Sequence, residues 1–116
     1  MRGETFRKIA LSLPEAEERE TWGEATFRVR DKIFAMMASD GKRGSIKASK
    51  EEQAALLASA PDTFFFPDYV GVHGWIGVIV RSGERQEIAE LLTEAWRMTA
   101  PKRSVKAFDA LHDGAA

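Results

Sequence analysis

The sequence predicts an α+β fold built on an antiparallel sheet of about five strands. Three observations support this prediction. Apolar residues recur at helical spacing near both ends of the chain, apolar and polar residues alternate from Thr26 to Met37, and a β-branched and aromatic stretch runs from Trp75 to Val80. Because 116 residues are the size of one ordinary domain, residues 1 to 116 are predicted to form a single domain.

Four segments have the pattern of helices. In the first, from about Gly3 to Ser12, the residues Phe6, Ile9 and Ala10 share one face, and Pro14 ends the run. The other helices are predicted from a capping box at Ser49 to Glu52 as far as Pro61, from Glu84 to Met98, and from Lys102 to Leu111. Residues 112 to 116 are predicted to be a frayed tail.

The alternating stretch predicts a hairpin with one of two turns, at Arg30-Asp31 or at Asp31-Lys32. With either turn, one face of the hairpin is predicted to enter the core, and its members are Phe27, Val29, Phe34 and Met36. A turn at residues 39 to 42 leads into a third strand at 44 to 48, and further strands are predicted at 63 to 66 and 75 to 80. Residues 14 to 25 lack such a pattern and are predicted to form an exposed acidic loop.

Basic residues are concentrated between Thr26 and Lys50. This stretch holds seven basic residues against Asp31 and Asp40, a local charge of +5 in a protein of net charge −1. Exposed cations on strands and turns predict a surface for nucleic-acid phosphates. The predicted phosphate-binding residues are Arg28, Arg30, Lys32, Lys42, Arg43 and Lys47, supported by Lys102 and Arg103. The alternative is a solvated sheet face whose charges keep edge strands from pairing.

The composition excludes several classes of protein. No cysteine occurs, which excludes disulfides, thiolate catalysis and cysteine metal sites and suits a reducing cytoplasm. The N-terminal segment has no apolar core of signal-peptide length, and no window approaches the ~18 apolar residues that a membrane span needs. We therefore expect a cytoplasmic protein without a membrane anchor.

No catalytic, metal or cofactor site is predicted. His73 and His112, the only histidines, lack the spacing of a ligand pair, and no nucleophile elbow or phosphate-binding glycine loop occurs. A Trp that begins an apolar strand, such as Trp75, is usually a core residue, although with His73 it could instead stack on a base. The four glutamates of the acidic loop, Glu15, Glu17, Glu18 and Glu20, are predicted to be solvated rather than to hold a cation.

Short motifs occur along nearly the whole chain in an order that resembles the MmcQ/YjbR family of small bacterial proteins. They are Leu13-Pro14, Trp22-Gly23, Thr26 to Val29, Lys32 to Ala35, Ile46-Lys47, Tyr69 to Val78 and Ala100 to Arg103. The resemblance implies a CyaY-like α+β fold, with helices packed on one face of the antiparallel sheet. It also implies DNA binding, by analogy of shape with winged DNA-binding surfaces. It supplies no catalytic residues.

These observations predict a non-catalytic protein that binds nucleic acid through the basic β-meander, with duplex DNA as the expected partner and no strong sequence preference. Two alternatives remain open. One is a protein-interaction or adaptor module that uses exposed aromatic residues such as Tyr69 or Trp75. The other is a small-ligand or cation-binding protein of CyaY-like fold. The oligomeric state is not predicted.

Overall fold

A computed structural model of the protein describes residues 1 to 113 and contains a six-stranded antiparallel sheet. The strands are β1 (Ala16–Thr21), β2 (Glu24–Val29), β3 (Lys32–Met37), β4 (Arg43–Ile46), β5 (Phe64–Phe65) and β6 (Ile76–Ile79). The helices are α1 (Gly3–Ser12), α2 (Lys50–Ser59), α3 (Arg85–Thr99) and α4 (Lys102–Asp113), and 3-10 turns cover Val70–His73 and Val80–Ser82. The strand order is β1-β2-β3-β4-β6-β5, and the predicted α+β class is confirmed.

The core lies between one face of the sheet and helices α1 and α3. Trp96 of α3 is fully buried there, and its indole N–H donates to the Pro14 carbonyl at 2.9 Å. Helix α4 packs behind α3, with the rings of Phe108 and Trp96 5.1 Å apart. Helix α2 lies beside β5 and is capped at its N-terminus by Ser49, whose hydroxyl accepts from the Glu52 N–H. Within residues 1 to 113, the opposite face of the sheet carries no α-helix.

The prediction of an acidic loop before Thr26 is wrong, because residues 16 to 21 form strand β1 and residues 24 and 25 begin β2. It pairs only with β2 and forms one edge of the sheet. An edge strand with exposed side chains needs no apolar alternation, since its hydrogen bonds rather than a buried face hold it in place. Glu18, on the helix side, accepts from Arg7 of α1 at 2.9 Å. The sheet therefore has six strands rather than about five.

The predicted core face of the hairpin is correct for three residues and wrong for Met36. Phe27 pairs with Ala35 but Arg28 pairs with Ile33, so Phe34 is an extra residue in β3. In such a β-bulge two consecutive side chains point to the same side, and Phe34 and Ala35 are both fully buried. The alternation then shifts by one residue, so that Met36 lies on the helix-free face and Met37 enters the core.

The structure decides between the two predicted hairpin turns. Arg30 and Asp31 both have positive φ, 50° and 68°, and Val29 pairs with Lys32, so the turn is at Arg30-Asp31. Strand β6 is an interior strand between β4 and β5, and Trp75 before it is half-buried. Of the predicted frayed tail, residues 112 and 113 belong to α4, and residues 114 to 116 lie outside the described part of the chain.

Candidate nucleic-acid interface

The structure divides the predicted phosphate-binding residues between the two ends of the sheet. The β2–β3 turn and the β3–β4 turn lie at opposite ends of β3, whose six residues span about 17 Å. Arg30 and Lys32 are therefore at one end, and Lys42 and Arg43 are at the other. We call the first region the hairpin end; it comprises Glu15, Arg19, Arg28, Arg30, Asp31 and Lys32.

Carboxylates neutralise most of the cations at the hairpin end. Arg30 Nε lies 2.7 Å from Glu15 Oε1, and Arg19 lies 2.6 Å from Asp31. Glu15 also accepts from the Ser104 hydroxyl at 2.8 Å, which connects the start of α4 to this end of the sheet. The hydrogen bond from Ser104, followed by that from Arg30, lowers the pKa of Glu15 below its usual 4.5. This carboxylate therefore stays charged beside Arg30.

Arg28 has a structural position at the hairpin end. Only 14% of its side chain is exposed, since it lies across the helix-free face of β2. Its guanidinium donates to the hydroxyls of Thr26 and Thr21 at 3.1 and 3.0 Å and to the Asp31 carbonyl at 3.3 Å. The Asp31 carboxylate is 3.6 Å away. Most of the donors that a phosphate would need are already in use.

The remaining predicted residues lie on three parts of the chain, away from the β3–β4 turn. Lys32 is exposed at the start of β3, and Lys102 and Arg103 are exposed in the first turn of α4. Lys47 is half-buried and lines a groove between α2 and α3 that also contains Glu52 and Glu94. Lys47 therefore shares its groove with carboxylates.

The other end of the sheet holds four cations around one cavity of about 560 Å³. They are Arg2, Lys42, Arg43 and Arg81, and we call them the cationic cluster. None of the residues that line the cavity is acidic. Among the salt bridges within residues 1 to 113, none involves a member of the cluster. All four side chains are exposed. Positive charge at this site is therefore available to an external anion.

Backbone packing brings the cluster together. A Cβ on Gly3 would lie 3.0 Å from the Gly41 Cα, so the start of α1 approaches the β3–β4 turn more closely than nearly all Cβ contacts in proteins. This approach sets Arg2 beside Lys42. The Val80 N–H donates to the Lys42 carbonyl at 3.0 Å, which holds the 3-10 turn containing Arg81 against the start of β4.

Of the four cluster residues, Lys42 and Arg43 were predicted from the sequence, and Arg2 and Arg81 were not. Neither missed arginine belongs to a basic run; each reaches the cavity only through the tertiary contacts of α1 and of the turn after β6. The sequence holds one local signal for the contact, the glycines at positions 3 and 41, and that signal becomes informative only when the two are known to touch.

A second cavity, of about 470 Å³, adjoins the cluster on the helix-free face of the sheet. Arg43 lines both cavities, and its guanidinium carbon lies 5.0 Å from the centre of the Phe65 ring. Met36 and Tyr69 contribute apolar surface, and Glu24 and Asp68 contribute carboxylates. We call this the aromatic groove. Its position makes Arg43 the link between a cationic surface and an aromatic one.

The sequence matches a known protein family, and the fold matches a solved structure. The family model described as YjbR matches residues 11 to 98. The chain belongs to the YjbR family. Two uncharacterized proteins, from Mycobacterium bovis and Mycobacterium tuberculosis, are each 41% identical to it over 56 residues. That segment is 47% of this chain and 42% of each relative, so the similarity spans less than half the length of those proteins.

A solved structure with the YjbR-family fold is that of Deinococcus radiodurans protein DR2400, a member of domain family DUF419. It superposes with a TM-score of 0.72 at 19% identity and covers 79% of this chain and 73% of its own. At this identity the similarity shows the fold alone. A shared fold does not establish a shared functional site, because unrelated sites occur on the same fold.

Two further observations concern the described residues of this YjbR-family chain. Within residues 1 to 113, no three metal-ligating side chains of His, Asp or Glu come together, and His112 is engaged with the Phe108 carbonyl at 2.8 Å. None of the helices in the same part of the chain has the length and apolar content to cross a membrane.

Proposed function

We propose that this protein is a non-catalytic, cytoplasmic nucleic-acid-binding protein that contacts the phosphate backbone through the cationic cluster. One observation carries the proposal: four exposed cations, Arg2, Lys42, Arg43 and Arg81, line one cavity without a carboxylate. Two of them belong to the basic stretch that predicts phosphate contacts from the sequence. The other two, Arg2 and Arg81, were not predicted from the sequence. In this proposal they bind phosphates in place of the hairpin-end arginines, which are paired with carboxylates.

The charge distribution supports a polyanion as partner. With a net charge of −1, the whole protein has no attraction for nucleic acid, so binding depends on a local positive field. Arginine presents several donors in a planar fork that matches phosphate oxygens, and three of the four cluster cations are arginines. Contacts of this kind release counterions and carry no sequence information, so we expect little sequence preference.

A salt titration with duplex DNA tests the proposal. If each cluster cation engages one phosphate of a duplex of about 20 base pairs, the log-log slope of affinity against salt is about −3.6. The triple variant Arg2→Gln/Lys42→Gln/Arg81→Gln should reduce the slope to about −0.9. Near 0.15 M salt its affinity should fall about 100-fold, because three phosphate contacts are lost. Fluorescence anisotropy of a labelled duplex measures both quantities.

The matched control removes the same amount of charge elsewhere. Arg30→Gln/Lys32→Gln/Lys102→Gln also lowers the net charge by three, but it does so at the hairpin end and at the start of α4. We expect it to change duplex affinity less than about threefold. Equal losses in both triple variants would mean that overall charge governs binding, and a slope near zero in the native protein would exclude phosphate contacts with the duplex.

A further inference from the structure

Two large aromatic side chains are almost fully exposed, one in the β1–β2 turn and one beside the aromatic groove. Trp22 has 96% of its surface exposed and Tyr69 has 92%. Trp22 occupies the β1–β2 turn, which lies at the same end of the antiparallel meander as the β3–β4 turn and the cationic cluster. Tyr69 lines the aromatic groove together with Glu24, which is two residues after Trp22. Tyr69 therefore borders the surface that Arg43 connects to the cluster, and the β1–β2 turn with Trp22 leads directly into the groove residue Glu24.

Backbone conformation keeps both rings outside the core. Tyr69 has φ 62° and ψ −59°, and the Val70 N–H donates to the Asp68 carbonyl at 2.6 Å, which closes a three-residue turn around it. Trp22 has φ 57° and is followed by Gly23 at φ 81°. Bulky residues rarely adopt positive φ, and such positions cluster where function requires a side chain to be presented.

The geometry points to single-stranded nucleic acid as the ligand, with unpaired bases stacked on Tyr69 and Trp22 and the connecting phosphates on the cationic cluster. This inference rests on the proposed function, because it uses the same cations. Proteins that bind single strands combine a positive groove with exposed rings in this way. In a duplex the faces of the bases are covered by their neighbours, so exposed rings gain nothing from it.

Charge in the aromatic groove separates the two parts of the ligand. Glu24 and Asp68 repel phosphates, so the backbone is directed toward Arg43 and the cluster rather than into the groove. The same carboxylates accept hydrogen bonds and suit the exocyclic amino groups of cytosine or adenine. A base in the groove would therefore meet Tyr69 on its face and carboxylate oxygens at its edge.

Oligonucleotide titrations test this inference. Single-stranded DNA and RNA of about 12 nucleotides are compared with a duplex of the same length, for the native protein and for Tyr69→Ala and Trp22→Ala. At least one single strand should bind more tightly than the duplex, and each variant should lower that affinity about tenfold while duplex affinity stays within about twofold. Tyr69→Phe, which keeps the ring, should retain native affinity.

Tryptophan fluorescence provides a second readout. Because Trp96 is fully buried and Trp75 half-buried, Trp22 is the most exposed tryptophan, and a stacked base should quench it. Trp22→Phe should remove most of this quenching, and the duplex should cause little. The control for a general loss of apolar surface is Leu111→Ala, since Leu111 is 78% exposed on α4. It should leave every affinity unchanged.

The possible failures are distinguishable. If duplex and single strands bind equally and the aromatic variants have no effect, the inference is wrong while the proposed function stands. If no oligonucleotide binds at low salt, the proposed function fails and the inference fails with it. Self-association that is abolished by Tyr69→Ala, with single-strand affinity unchanged, would overturn the inference and make these rings a contact between copies of the chain.

Discussion

The two ends of the sheet carry similar numbers of cations but use them differently. At the hairpin end, Arg19, Arg28 and Arg30 are each in contact with a carboxylate, and Arg28 is mostly buried. At the other end, the four residues of the cationic cluster are exposed and share a cavity with no acidic residue. Surface ion pairs satisfy charge locally, so the first arrangement contributes to stability and the second leaves charge for a partner.

This difference shows that a high density of basic residues in the sequence does not by itself make a positive surface. Arg30 belongs to the basic stretch, but Glu15 neutralises it from a position before β1. Arg81 is far from that stretch in the sequence, yet it joins Lys42 because β4 and β6 are neighbours. Whether a cation is free depends on what the fold places next to it.

The largest effect that distinguishes the two ends should come from Arg28→Ala. The change removes a mostly buried guanidinium and its hydrogen bonds to Thr21, Thr26 and the Asp31 carbonyl. We expect the free energy of unfolding to fall by about 2–3 kcal/mol, because hydrogen bonds to charged groups are lost and buried polar atoms lose a partner. Urea denaturation measures this change.

Arg30→Ala is the comparison for Arg28. Its side chain is 61% exposed, so it should cost no more than about 1 kcal/mol. Equal destabilisation by the two changes would contradict a special structural position for Arg28. Arg28→Ala should leave the duplex affinity of the folded protein unchanged. A loss as large as that of the triple cluster variant would show that the hairpin end also binds phosphates.

A smaller effect is expected where backbone contact assembles the cluster. Helix propensity alone predicts that Gly3→Ala raises the free energy of unfolding by about 1 kcal/mol. Here the new Cβ would lie 3.0 Å from the Gly41 Cα and 3.1 Å from its carbonyl oxygen, and backbone atoms cannot easily move away. We therefore expect net destabilisation of about 1–2 kcal/mol and weaker duplex binding, since Arg2 is displaced from Lys42.

The sign of the change makes this prediction decisive. Thermal unfolding of Gly3→Ala measures the sign of the change, and a raised Tm would show that α1 does not need the close approach. Arg2→Gln serves as control, because it removes the charge without touching the backbone. It should weaken binding while changing the free energy of unfolding by less than about 0.5 kcal/mol.

Most of the fold was predictable because its signals are local. Helix α1 has the predicted bounds, as Phe6 and Ala10 recur at helical spacing before Pro14. Strand β1 was not predictable from apolar alternation, since it is an exposed edge held by pairing with β2. The position of Met36 depended on the bulge at Phe34, which has no sequence signature comparable to a turn glycine.

The candidate site was only half predictable for a related physical reason. Lys42 and Arg43 stand out by composition alone, whereas Arg2 and Arg81 are isolated cations whose proximity is a tertiary fact. Exposure of the aromatic residues was predicted only in part. Trp22 lies in the segment predicted to be exposed and Tyr69 was named in one alternative, but the sequence does not show that the two rings are 96% and 92% exposed at positive φ. Local pattern therefore predicts elements better than it predicts which side chains remain available.

The smallest expected effect concerns the pH dependence of stability at the hairpin end. The pKa of Glu15 is lowered by hydrogen bonds from Ser104 and Arg30, so its carboxylate stabilises the folded state above pH 4.5. This stabilisation is lost as pH falls through the lower folded-state pKa. Ser104→Ala should therefore lower Tm slightly at pH 7 and by progressively less as pH falls below 4.5.

The Glu15→Gln background isolates this effect. Without an ionisable group at position 15, Ser104→Ala should change Tm by the same amount at every pH, because only helix propensity and the neutral hydrogen bond remain. A pH-dependent difference that persists in that background would assign the titration to another group. Replacing Arg2 or Arg81 of the cationic cluster by Gln should change Tm by an amount that does not depend on pH between 3 and 7 in this way, since no carboxylate lines that cavity.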